Sequence, residues 1–185
     1  MSRWKQKRSV MRRYDLTAQM YDQRYCEEQE AKYKVALEGL TITRSGVVLD
    51  VGCGSGLFFS HVALKAEAVV GVDVSRGLLL QAKERARGYD NVFVVQADAD
   101  HLPFKQGFFS FVFAFTVLQN MPKPVETLKE IKQVAGLEAS IVVTGLKRAV
   151  DLEVLGGWLE HAGLLAVSLR NDDALQCHVV VAVQA

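Results

Sequence analysis

The sequence predicts an α/β fold, doubly wound, with a mostly parallel sheet carrying helices on both faces. Three observations predict it. Short β-branched runs alternate with segments of helical pattern from residue 46 onward. Those runs are apolar at successive positions, as strands covered on both faces must be. The last two runs stand too close for a helical crossover, so they are expected to pair antiparallel at one edge.

The elements follow in chain order. Residues 1–13 carry six bases and no acid and are read as a basic arm, whose alternatives are a polyanion-binding tail and a loose, solvated start. Residues 14–40 have many charges, no proline and no glycine before Gly39, and are read as a helix. Strands are expected at 46–51, 68–74, 92–96, 108–115 and 140–144, with two late ones at 164–169 and 178–183. Helices are expected at 57–66, 78–87, 125–134 and 151–162. Pro122 and Pro124 introduce the third of these, and Gly163 closes the fourth. Phe109, Phe111, Phe113 and Phe115 alternate, which places four rings on one strand face, packed in the core.

Composition bounds the function. The chain has 185 residues, 50% hydrophobic and 23% charged, with a net charge of +1, enough for one domain with one sizeable core. No linker or repeat marks a boundary, so 1–185 is read as one domain with its catalytic core at 46–185. Cys26, Cys53 and Cys177 are odd in number and far apart, which fits reduced thiols and a cytoplasmic location. No metal-binding spacing is present, no secretory leader is seen, and the longest apolar run is too short for a membrane helix.

The chemistry concentrates at three strand ends. The first ends in Leu49-Asp50-Val51-Gly52-Cys53-Gly54-Ser55-Gly56. Glycines at alternate positions between strand and helix allow a ligand close approach to the backbone. A dinucleotide loop would place its third glycine one position later, and a triphosphate loop would carry G-K-[S/T]. Both are absent, which disfavours a nicotinamide-dependent dehydrogenase. Asp73, about twenty residues on, can accept from two ribose hydroxyls, while Ser75 is the better placed cap for the next helix. Asp98 and the Ala99 N–H stand where an adenine edge could be read, unless Asp98 is simply a loop acid in solvent.

These segments, with Gly71-Val72-Asp73 and Ala97-Asp98-Ala99-Asp100-His101-Leu102-Pro103-Phe104, resemble class I S-adenosylmethionine (SAM)-dependent methyltransferases, the group with a helical N-terminal cover. The resemblance runs from about Tyr14 to the end. It implies a Rossmann-like doubly wound seven-stranded sheet of order 3-2-1-4-5-7-6 with strand 7 antiparallel. It implies SAM as cofactor, with Asp50 and Gly52 at its methionine end, Asp73 at its ribose, and Asp98 and Ala99 at its adenine. Gly54, Gly56, Val74 and Thr116 complete the expected cofactor wall, and Tyr21 or Tyr25 is expected to close over it from the cover helix. Ser110 stands where many relatives carry an acid, which is usually structural.

A methyl acceptor is expected beside the end of the fourth strand. Gln119 and Asn120 are the candidates to orient an N or O nucleophile, the alternative being that they cap the helix near Pro122. His101 is weighed as a base. The short connection 145–150 lacks the substrate-covering insertion of many small-molecule enzymes. With the basic arm, this points to RNA or a translation-related protein as acceptor, with a small activator subunit as a family-level partner. The alternatives are a small-molecule methyltransferase and a non-catalytic SAM-binding scaffold.

Overall fold

A computed structural model describes residues 3–171 and 174–185, without the side chains of Arg3, Tyr21 and Arg24. Its elements are α1 (Arg3–Leu37), β1 (Val47–Val51), α2 (Phe59–Val62), β2 (Ala68–Asp73), α3 (Arg76–Ala86), β3 (Val92–Gln96) and β4 (Phe109–Ala114). A 3-10 turn at Leu118–Asn120 leads to α4 (Pro124–Val134), β5 (Ala135–Leu146), α5 (Leu152–His161), β6 (Leu164–Arg170) and β7 (Cys177–Gln184). The sheet order is β3-β2-β1-β4-β5-β7-β6, as the resemblance implies. β7 runs antiparallel to both β5 and β6, and the other pairings are parallel.

Alternation along β1 explains the two-sided core. Leu49 and Val51 face one layer, where Leu128 and Ile131 of α4 and Leu155 of α5 are buried. Val48 faces the other, with Tyr33 of α1, Phe58, Phe59 of α2 and Ala82 of α3. In that second layer Tyr33, Phe113 and Phe115 surround Phe58 at centroid distances of 4.7–5.0 Å. Such pairs add about 0.5–1.5 kcal/mol each beyond their buried area.

Four expectations are corrected. The helix begins at Arg3, so residues 3–13 are the first three turns of α1 and not a separate arm. The helix expected at 57–66 is a single turn, Phe59–Val62, flanked by turns. β5 is far longer than 140–144, because α4 passes directly into it and Ala135 pairs with Phe109. The four rings of β4 do not share a face. A register shift between Phe109 and Phe111 breaks the alternation. Phe109 therefore packs with the α4 layer, while Phe111, Phe113 and Phe115 pack in the α1 layer.

α1 is tied to α3 at three places. Asp15 Oδ1 accepts from Ser75 Oγ at 2.6 Å and from the Gly77 N–H at 2.9 Å. Ser75 Oγ in turn caps α3 by accepting from the Leu78 N–H. Gln81 Nε2 donates to the Ala18 carbonyl at 2.7 Å, and Arg85 pairs with Asp22. α1 consequently runs across the carboxyl ends of β1, β2 and β4, where the winding reverses and an α/β sheet binds its ligands. Among the described residues no helix is long and apolar enough to cross a membrane.

Candidate active site

Gly52 and Gly54 turn the chain out of β1 at φ +71° and +57°, a region that side chains disfavour. A Cβ on Gly52 would lie 2.5 Å from Val117 Cγ2. Both glycines line a narrow cleft with Asp73, Val74, Asp98, Ala99 and Thr116, all expected there. Its volume is about 90 Å³, because Lys7, Val10 and Tyr14 of α1 fill it from above. Ligand pockets commonly measure about 300–1,000 Å³. Gly56 does not line this cleft. Its φ is +82°, and it packs against the Phe59 ring and the Ala82 Cα.

Asp73 is oriented by the backbone. Its Oδ2 accepts from the Gly54 N–H at 2.9 Å and its Oδ1 from the Ser75 N–H at 2.8 Å. Burial raises its pKa, and these hydrogen bonds pull it back. A carboxylate has about four acceptor sites, so room remains for a hydroxyl. Asp50 does not line the cleft but a small pocket beside it, with Gln29 and Tyr33, and its Oδ1 is buried with no hydrogen-bond partner among the described residues. Burial, then the negative charge of Asp73, pushes its pKa up to about 8. Cys53 is also buried, which raises its thiol pKa and keeps it protonated.

Asp98 is in the cleft, yet its carboxylate is held by Lys7, with Nζ 2.7 Å from each oxygen. Lys7 also pairs with Asp100. His101 is exposed, bridged to Asp98, and lines none of the cavities. The side chain of Tyr21 is outside the described residues.

A second cavity, of about 650 Å³, adjoins the cleft on the β4–β5 side. Tyr14, Thr116, Asn120 and Met121 line both. Tyr25 belongs to this cavity and not to the cofactor cleft. Thr116 sits at the junction with φ 56°, a conformation rare for a β-branched residue, pinned by a 2.8 Å bond from its N–H to Thr144 Oγ1. Asn120 Nδ2 donates to the Thr116 carbonyl at 3.1 Å and to Tyr14 Oη at 3.4 Å, and Oδ1 accepts from Arg13 Nη2 at 3.1 Å. Its amide thus joins the turn after β4 to α1. Gln119 reaches the larger cavity with a buried Oε1 that has no hydrogen-bond partner. Neither amide caps α4, whose N-cap is Lys123 without a side-chain bond.

Sequence reasoning missed Lys7, Val10 and Tyr14. Their spacing of three and four continues through Thr17, Tyr25, Glu28 and Lys32, all on cavity walls, so one face of α1 lines the whole site. The periodicity was present in the sequence, but its members are mixed polar and apolar and give no amphipathic stripe.

The family described as a methyltransferase domain matches residues 49–142, half of the chain. Malonyl-[acyl-carrier protein] O-methyltransferase of Marinomonas sp. is 28% identical over 154 residues, covering 82% of this chain and 57% of that protein. Demethylmenaquinone methyltransferase of Staphylococcus aureus is 30% identical over 111 residues, covering 58% of this chain and 46% of that protein. The chain thus spans about half the length of these curated relatives. A Haloferax volcanii methyltransferase solved in complex with the Trm112 methyltransferase activator shares the fold, with TM-score 0.81 and 16% identity over 94% of this chain and 96% of that one.

Proposed function

This chain belongs to the methyltransferase-domain family, and from that premise we propose that it transfers the methyl group of SAM to a small molecule held in the 650 Å³ cavity. The observation that carries the reading is the shared wall of Tyr14, Thr116, Asn120 and Met121, by which the larger cavity adjoins the glycine-lined cleft. Asp50 supports SAM as the occupant of that cleft: it lines a small pocket that shares Gly52 with the cleft, and its buried Oδ1, without a hydrogen-bond partner among the described residues, suits the ammonium of the methionine end. Gly52 and Gly54 leave room beside it, and Asp73 keeps room to accept from a ribose hydroxyl. When bound, the cofactor supplies a methyl on a sulfonium, open to attack by an in-line nucleophile.

The chain's own residues position and desolvate. Gln119 Oε1 accepts a hydrogen bond from the N–H or O–H of the acceptor and so fixes its lone pair. Met121, Val150 and Trp158 exclude water from the same cavity. α1 must open at Lys7, Val10 and Tyr14 to admit an adenosyl group, because the cleft beneath them is narrow.

The small molecule is favoured over RNA or protein by two points. Two of the cations near the start of α1 are committed, Lys7 to Asp98 and Asp100 and Arg13 to Asn120, which leaves fewer free for phosphates. One curated relative is named for demethylmenaquinone, a small molecule. A small activator subunit is a second element of the reading. It is favoured by the fold shared with an activator-bound methyltransferase and by the exposed Leu165, Val167 and Leu169 of β6, the sheet-edge strand.

The test is incubation with methyl-labelled SAM and a cell extract separated into small molecules, RNA and protein. Label is expected in the small molecules. Label confined to RNA or protein overturns the acceptor, and absence of binding to SAM or S-adenosylhomocysteine by calorimetry overturns the whole reading.

A further inference from the structure

Lys32 is 1% exposed, among the most buried large side chains in the protein, and it is on the wall of the 650 Å³ cavity. Enclosing an ammonium this far from water costs several kcal/mol unless other groups solvate it. Among the described residues its carboxylate partner is Glu28, one turn earlier on α1, at 3.2 Å. Glu28 also accepts from the buried Cys177 thiol of β7 at 3.7 Å. This places the pair on the β5–β7 side of the cavity, away from the glycine loop. Arg13 and Arg148 line the same cavity, and among the described residues Glu28 is its single acid, so three cations face one anion there. Arginine stays protonated at any physiological pH, which fixes the surplus.

Gln119 adds a second requirement. Gln119 lines this cavity, and its buried Oε1 has no hydrogen-bond partner among the described residues. An unmet buried acceptor is costly, so a bound molecule that brings a donor within its reach is favoured over one that does not. Leu118, Met121, Val150 and Trp158 add apolar surface to a wall that is otherwise largely polar.

We infer that the acceptor is an organic anion: a molecule with a carboxylate or phosphate met by the cavity's cations, an apolar body, and a hydroxyl or amino donor at Gln119. This rests on the proposed methyl transfer only in calling the molecule an acceptor. The charge preference is a property of the cavity itself.

Four probes of matched size test it: 4-hydroxyphenylacetate, its amide, tyramine, and 4-hydroxybenzylphosphonate. Each is titrated by calorimetry into the full-length protein, alone and saturated with S-adenosylhomocysteine. The carboxylate is expected to bind at least about tenfold more tightly than the amide, with tyramine weakest. The phosphonate arm separates a carboxylate site, where it binds worse than the acid, from a phosphate site, where it binds better. Arg148→Gln, at an exposed position, should narrow the gap between acid and amide. Arg13→Gln with Arg148→Gln, both at exposed positions, removes the surplus and should abolish it. Equal binding of acid and amide, a gap that survives the double variant, or no binding of any probe at millimolar concentration overturns the inference. If S-adenosylhomocysteine fails to bind while the free protein still prefers the acid, the cavity's specificity stands and the methyl-transfer reading fails.

Discussion

Lys7 Nζ sits 2.7 Å from both carboxylate oxygens of Asp98, the residue proposed to accept from an adenine amine. An incoming exocyclic amine must therefore compete with an ammonium for the same acceptor. The two side chains are only 10% and 20% exposed, so the contact is better shielded than a surface pair. Lys7→Met removes the competitor. Affinity for S-adenosylhomocysteine should rise about fivefold, on the order of 1 kcal/mol for a partly exposed pair. Calorimetry measures it directly, and weaker binding in the variant would mean that Lys7 helps to hold the ligand instead.

Gly52 and Gly39 offer a matched comparison. Both have positive φ, +71° and +78°, but a Cβ at Gly52 would meet Val117 at 2.5 Å while one at Gly39 would meet nothing within 4 Å. Alanine at either position incurs about 1–2 kcal/mol of left-handed strain. Gly39→Ala should stop there and bind S-adenosylhomocysteine normally. Gly52→Ala should lose further stability by urea unfolding and lose most of its binding. Equal losses in the two variants would show that the approach of Val117 does not matter.

What could be read from the chain alone was what local pattern dictates. β3 was expected at 92–96 and is found at Val92–Gln96, since an apolar run between turns has few alternatives. The positions of Gly52, Gly54, Asp73 and Thr116 on the cleft wall were legible because they depend on spacing along single strand–helix units. Lys32 was not. A lysine in a charged helix is expected in solvent, and only the docking of α1 beside β7, 145 residues away, buries it. The misplacement of Phe109 has the same origin, because the shift that rotates it arises in the pairing of β4 with β5.

Asp50 gives the protein a pH signature. Its pKa rises from 3.8 to about 8 on folding, chiefly through burial and then through Asp73. Between those values the folded state holds a proton that the unfolded chain has lost. This contribution to stability is complete below the unfolded value, falls as pH rises, and is gone once the folded pKa is passed. Asp50→Asn removes the titration. The variant should match the wild type near the acid end of the window and exceed it in urea midpoint toward pH 8, in the ligand-free protein. A difference between them that stays constant with pH would show that Asp50 is ionised in the fold.

Thr116 separates strain from function. It adopts φ 56° with its N–H bonded to Thr144 Oγ1 and its Oγ1 to the Phe115 carbonyl at 2.7 Å. A β-branched residue held there stores about 1–3 kcal/mol, whereas glycine accepts the conformation and loses about 0.5–1 kcal/mol through its freer unfolded chain. Alanine keeps part of the strain and loses the hydroxyl. Thr116→Gly should therefore unfold at a higher urea concentration than Thr116→Ala, close to the wild type. Both should bind S-adenosylhomocysteine more weakly, since this residue forms the wall between cleft and cavity. If alanine proves as stable as glycine, the backbone here carries little strain; if binding is unchanged in both, the threonine side chain is dispensable at the junction.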